Sequence, residues 1–247
     1  VHSTLNGYST EKPYNKVASR ADFHIILSVI PKSVYDKTGE VVDQLLNGED
    51  GNYSTFAATS FTIVRDIAKD IESFVLVDIS AEVTDILSIH RSALRNVGSL
   101  PCGKHFLYRE LAKSLGIMPA EIPSLLSNFF GQKTNTKETL KVSGALTTVS
   151  EKWILLFEQT LREVYRDTPL PQKLFITADD DIVDWFSDII IKKNFVELIL
   201  SGGIFDVEKI DGSYLEGYLH RGMRVQTVDP FLGIESIYLK KLLHHAK

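Results

Sequence analysis

Cysteine is nearly absent from the chain: Cys102 is the only one among 247 residues. An intrachain disulfide is therefore excluded, and the lone thiol fits a reducing compartment such as the cytoplasm. Runs of lysine or arginine are also missing, and the formal net charge is −5. That balance does not support recognition of nucleic acid through a basic face. No apolar run reaches the roughly 20 residues that span a bilayer. The start, Val1-His2-Ser3-Thr4, is polar and has neither an initiator Met nor a signal peptide. The expectation is a chain that begins partway through a longer protein. Internal repeats and low-complexity segments are lacking too. What remains is 44% hydrophobic and 24% charged, an ordinary globular profile. The length suits one large domain or two small ones.

One stretch organises the reading. Phe74 to Ile79 is an apolar strand that ends on Asp78-Ile79, then Ser80-Ala81-Glu82 turns the chain into a second strand, Thr84 to Ile89. A buried apolar run bounded by turn residues is a core-strand pattern. A carboxylate where it ends lies at the carboxyl edge of the sheet, where open α/β sheets bind ligands. Ala93 to Leu100 reads as a third strand. Lys104 to Leu115 has helical spacing, with Phe106, Leu107, Leu111 and Leu115 on one face and Gly116 as its stop. A short helix is expected over Glu121 to Phe130, a loop over Gly131 to Thr139, and a helix over Val149 to Arg166 capped by Ser150. Strands are expected at Lys173–Thr177 and Phe195–Leu200, with a helix from Ile182 to Lys193 between them. Residues 204–228 read as short strands and loops, and Gly233 to Ala246 as a last helix.

Before Ser73 the pattern is a separate α+β unit, residues 1–72. Asn6-Gly7 marks a turn, Phe23 to Ile30 a strand, and Pro31 opens a helix with Val34, Val41, Val42, Leu45 and Leu46 on its apolar face. Phe61 to Ile67 reads as a further strand. From residue 73 to 247 a three-strand meander followed by alternating strands and helices implies a mixed sheet with helices on its faces.

The central stretch resembles the second phosphate hairpin of the actin-like ATPases, Asp-Ile-Gly-Gly-Gly-Thr-Thr-Asp. Asp78, Ile79, Thr84 and Asp85 match; Ser80, Ala81 and Glu82 replace the glycines. Leu5 to Pro13, with Lys16 and Ala18, is similar to a segment of the FtsA/PilM family of cell-division and pilus-assembly proteins. In that family it belongs to a small inserted subdomain. Leu100-Pro101-Cys102-Gly103 resembles the family's Ile-Pro-x-Gly-Gly turn, and Leu174 to Asp180 sits where the family has an adenosine-contacting Leu-Thr-Gly-Gly turn. No counterpart of the first phosphate loop is present, and the helix that in the family separates the inserted subdomain from the hairpin would be very short here, roughly Val64 to Ile71 at most. The resemblance implies a ribonuclease-H-like half of an actin-like ATPase: α/β, with a mixed sheet and flanking helices, plus the small subdomain.

Its nucleotide residues would be Asp78, Ser80, Thr84, Gly103, Ala178 and Asp179, with Asp78 also holding a Mg²⁺ water. Phosphate cradles need backbone N–H groups close to the anion and are glycine-rich for that reason. Glu82 and the run Asp179-Asp180-Asp181 instead bring negative charge to the place where phosphate and adenosine would lie. The expectation is a degenerate site with no cofactor and little or no ATP turnover. In the alternative, ATP and Mg²⁺ bind and the missing loop comes from an absent N-terminal segment. Asp78, Asp85, Asp180 and Asp184 also suggest two-metal nuclease chemistry, but the sequence shows no convergence of the four. A lone buried thiol accounts for Cys102 better than a nucleophile does, and His24, His90, His105, His220, His244 and His245 have no ligand spacing.

The last helix has two readings. Ile234, Ile237, Tyr238, Leu242 and Leu243 form an apolar stripe beside the cations Lys240, Lys241 and Lys247. Residues 234–247 then either touch a lipid interface, as a basic amphipathic tail does, or pack on the sheet with their cations at the helix's negative end. The resemblance implies a scaffold that binds a protein partner or another copy of itself, without nucleic acid. Its surface would be residues 1–70, and its setting the cytoplasm or the inner face of the membrane, in a cell-division or pilus-assembly machine.

Overall fold

A computed structural model describes residues 2–10, 12–46, 53–132, 135–165, 169–199, 202–219 and 228–245. The chain opens with β1 (His2–Leu5) and β2 (Tyr8–Ser9), joined through Asn6-Gly7, both at positive φ. Strand β3 (Ala21–His24) returns on the other side of β1, giving the antiparallel order β2-β1-β3. The strand expected over Phe23–Ile30 ends at His24 because the ladder with β1 ends at the pair His2–His24. A segment without a ladder partner has no reason to be counted as strand, whatever its propensity. Helix α1 (Lys32–Leu46) follows Pro31 as expected, yet Val34, Val41 and Leu45 on its apolar face are exposed.

Residues 61–67 form no strand. They lie in α2 (Phe56–Ile67), capped by Thr55, whose hydroxyl accepts from the Ala58 N–H at 3.4 Å. The β-branched residues that suggest a strand sit on a helical face instead, with Ser60, Ile63 and Val64 buried. That tertiary burial overrides a modest β-preference. Nor is α2 confined to the stretch from Val64 to Ile71: it starts at Phe56 and stops at Ile67.

The large sheet then builds in order. β4 (Phe74–Ile79), β5 (Thr84–His90) and β6 (Ala93–Leu100) form the antiparallel meander. Helix α3 (Lys104–Leu115) ends at Gly116 in the left-handed region, φ 70°. A single 3₁₀ turn, Pro119–Glu121, leads into α4 (Ile122–Phe130). Helix α5 spans Thr136–Tyr165, absorbing much of the loop expected at 131–139 and the start expected at Val149. Asn135 provides the cap, its side-chain oxygen accepting from the Glu138 N–H at 3.0 Å; Ser150 lies inside the helix. Strand β7 (Lys173–Thr177) and helix α6 (Val183–Lys192) match expectation within a residue. The described part of 195–200 is a turn rather than a strand; only Ile199 makes a bridge, to Leu170. β8 (Asp206–Lys209), the one-turn α7 (Gly212–Leu215) and α8 (Pro230–His245) complete the chain. Ala246, expected in the last helix, lies outside the described residues.

The sheet order is β6-β5-β4-β7-β8, with β4–β7 and β7–β8 parallel. It is the mixed sheet with flanking helices that the element order implies. Every residue of β4 is buried. One face, with Val75, Val77, Ile79, Ile86, Leu174 and Ile176, packs against α3, α5 and α6. There Trp153 stacks on Phe157 with ring centres 4.8 Å apart. The other face, with Phe74, Leu76, Leu87, Ile89 and Phe175, packs against α2 and α8 through Phe61, Val64 and Ile234. Covered on both faces at β4 and β7, the sheet presents its strand ends and the outer face of β6, where Arg95, Val97 and Ser99 are exposed.

Candidate functional site

The carboxyl ends of β4 and β7 meet the N-terminus of α3. Asp78 pairs with Asp85 on β5 and with Thr177 on β7, so the three side chains form a row across the sheet. Asp78 is buried, and neither its Oδ1 nor the Thr177 hydroxyl has a hydrogen-bond partner among the described residues. Burial first, and the Asp85 carboxylate second, push the Asp78 carboxyl up to about 7. Asp85 itself accepts from the Ser99 hydroxyl.

The turn after β4 is closed on itself. The Ser80 hydroxyl donates to the Val83 carbonyl at 2.9 Å and accepts from the Val83 N–H at 3.3 Å. Thr84 is fully buried and donates to the Cys102 carbonyl at 2.9 Å, a carbonyl that also accepts from the Trp153 indole at 3.1 Å. Cys102 is buried, and burial pushes its thiol up. Gly103 is the α3 cap, and a Cβ there would lie 2.2 Å from the Ser80 carbonyl oxygen. Only glycine allows this approach. The N–H groups of Lys104 and His105 then donate to the Ser80 and Ala81 carbonyls at 2.9 and 2.7 Å. Those are the groups a helix N-terminus would otherwise turn toward an anion.

Ion pairs close the rest of the rim. The Lys104 ammonium lies 2.7 Å from Asp179 and 3.0 Å from Asp181, and the Tyr108 hydroxyl donates to Asp181 at 3.2 Å. Burial pulls the Lys104 ammonium down, but hydrogen bonds to Asp179 and Asp181 outweigh it and hold it above its ordinary value. Glu82 faces Arg109 at 2.9 Å and His105 at 3.0 Å; hydrogen bonds from Arg109 first, then His105, hold its carboxyl below the usual range. Ala178, next to Asp179 in the chain, is buried in the core. Asp180 points elsewhere: burial, then Asp211 and Asp229, push its carboxyl up.

The structure thus brings together Asp78, Ser80, Thr84, Gly103, Ala178 and Asp179 at one sheet edge. It does not bring Asp184 to Asp78, since Asp184 pairs with Lys209 at 2.6 Å. Among the described residues no His, Cys, Asp and Glu cluster could hold a metal. Asp181 does not cap α6, whose first turn has no side-chain cap. Sequence reasoning passed over Lys104, Tyr108 and Arg109. A signal was available: a lysine opening a helix opposes the helix dipole, and such a local conflict marks a residue with another task.

No family model matches the chain, and no curated protein matches it. Solved structures do. It is similar to PilM in a PilM–PilN type IV pilus biogenesis complex, with a TM-score of 0.54 at 11% identity over 83% of this chain and 58% of that one. It is also similar to the ethanolamine utilization protein EutJ of Carboxydothermus hydrogenoformans, with a TM-score of 0.44 at 18% identity over 73% and 53%. Bacillus thuringiensis ParM with ATP matches with a TM-score of 0.41 at 10% identity over 73% and 49%. The chain spans about half the length of these structures. The fold is that of the actin-like ATPases.

Proposed function

We propose that the chain is an FtsA/PilM-like, actin-fold scaffold that binds a protein partner or another copy of itself. On this reading its nucleotide pocket is degenerate and closed by its own side chains. One observation carries the reading: Lys104, a cation at the rim, is already neutralised by Asp179 and Asp181. On this reading a magnesium-bound triphosphate would find no free cation in Lys104. The α3 amides are taken by backbone carbonyls, and Asp179 brings negative charge toward a polyanion. Ser80 and Thr84 serve the turn and the Cys102 carbonyl instead of a ligand.

The partner surface proposed is the N-terminal unit, residues 1–70. Tyr8, Phe23, Ile25, Leu27 and Val29 are exposed there, and clustered exposed apolar residues are a feature of interaction surfaces. The PilM likeness supports a protein partner, since that PilM is in complex with PilN. An envelope-associated machine for cell division or pilus assembly, reached from the cytoplasm or the inner face of the membrane, is the setting this reading favours. No helix among the described residues is long and apolar enough to cross a membrane.

A second reading has one observation in its favour. The unpartnered Oδ1 of buried Asp78 suits a carboxylate that accepts from a metal-bound water. In that reading the chain binds ATP with a first phosphate loop from elsewhere in a longer protein. Phosphate release from MgATP separates the two. Release at the uncatalysed rate supports the scaffold; turnover that is lost in Asp78→Asn supports the ATPase and overturns the scaffold reading.

A further inference from the structure

Among the described residues, one helix face is left without a partner. Helix α8 is held from one side: Ile234 is fully buried, and Ile237 and Tyr238 pack on the same core. Lys241 is ion-paired to Asp66 of α2. On the opposite side Leu232, Leu239 and Leu243 are 63%, 57% and 62% exposed. With exposed Ser236 among them they recur at intervals of four, three and four residues. That is the a/d spacing of a coiled-coil seam. Glu235 and Lys240 flank the seam on its two sides, and neither has a partner within the described residues.

We propose that this face joins α8 to the α8 of a second copy, the two helices running parallel, seam to seam. The charges select that arrangement. Across a parallel seam a flanking residue meets the residue five positions further along the other helix, the interval from Glu235 to Lys240. Each copy then offers Glu235 to the other's Lys240, on both sides of the seam. An antiparallel pair would bring like flanks together, glutamate toward glutamate and lysine toward lysine. Self-complementarity of this kind fits a second copy better than an unrelated partner. It also fits an anionic lipid surface poorly, because one flank is acidic. The helix is already folded on its sheet, so docking does not bear the entropy of ordering it. Four seam positions make a small contact, and the pair forms as concentration rises. The inference rests on the scaffold reading only in naming one of its partners.

The test uses the full chain in sedimentation velocity over a concentration series. The mass is expected to rise from 27.7 kDa toward twice that value. Glu235→Lys is expected to weaken association about tenfold, roughly 1.4 kcal/mol, and adding Lys240→Glu to restore it. In a Cys102→Ala background, Leu239→Cys is expected to form a disulfide-linked dimer on oxidation, since a parallel seam sets position 239 opposite itself. A chain that stays monomeric, association that ignores Glu235→Lys, or failure to cross-link through Leu239→Cys would overturn the proposal. So would a monomer that binds anionic vesicles and loses binding in Leu239→Lys, which gives the face to a membrane. ATP turnover would remove the scaffold reading and leave this one standing; a strict monomer would do the reverse.

Discussion

The Lys104 ammonium lies 2.7 Å from the Asp179 carboxylate, tying the N-terminus of α3 to the turn after β7. Only 17% of the lysine side chain is exposed, against 43% of the aspartate. Lys104→Ala leaves Asp179 and Asp181 without their cation. The expected loss is about 1–3 kcal/mol in urea unfolding, tempered by the exposure of the carboxylates. An unchanged midpoint would show that the pair holds nothing together.

Asp78 titrates against the usual direction for a carboxylate. Its folded value is about 7, against 3.8 ordinarily. Between those values the folded chain keeps a proton that the unfolded chain has lost. Its contribution to stability is therefore complete below about pH 4, falls as pH rises to about 7, and is level above that. At 1.36 kcal/mol per unit the fall is up to about 4 kcal/mol. Asp78→Asn is expected to flatten the Tm profile across that window and to melt higher than the wild type at pH 8. A wild-type profile without the fall would contradict the burial of Asp78 as an unpaired acid.

Gly103→Ala tests the seal between α3 and the β4 turn. The added Cβ would meet backbone at 2.2 Å, the Ser80 carbonyl oxygen, which cannot swing aside as a side-chain end can. The expected cost is about 2 kcal/mol or more. Full stability in the variant would mean that the turn and the helix are not in contact.

Thr84 separates a structural role from a ligand role. Thr84→Val removes the bond to the Cys102 carbonyl, although Trp153 still donates to that carbonyl. The expected loss is about 1–2 kcal/mol, and Thr84→Ser, which retains the hydroxyl, is expected to avoid most of that loss. A phosphate-binding threonine would instead leave the stability of the ligand-free chain unchanged on substitution.

Much of the large sheet was legible in the sequence because its strands are short apolar runs between unambiguous turns. β4 to β6, α3 and β7 follow from Phe74 to Thr177 read in order. Misreadings arose where burial rather than propensity decides. Phe61 to Ile67 carries strand-like residues, but its buried face has helical spacing against α8. Helix α5 starts at Thr136 because Asn135 caps it, whereas Ser150 offered a cap of equal quality further along. The candidate site was legible as a set of positions. Its ion pairs were not, because Lys104 and Asp179 are 75 residues apart in sequence and only the parallel β4–β7 pairing brings their elements together.

The most direct measurement of the central claim is thermal melting of the full chain with and without millimolar MgATP. A ligand at 100 times its Kd adds about 2.7 kcal/mol, which raises Tm by several degrees in a domain of this size. The account predicts no shift, because Lys104, the α3 amides and the β4 turn are already satisfied by the chain itself. A saturable rise of several degrees, lost in Asp78→Asn, would contradict it.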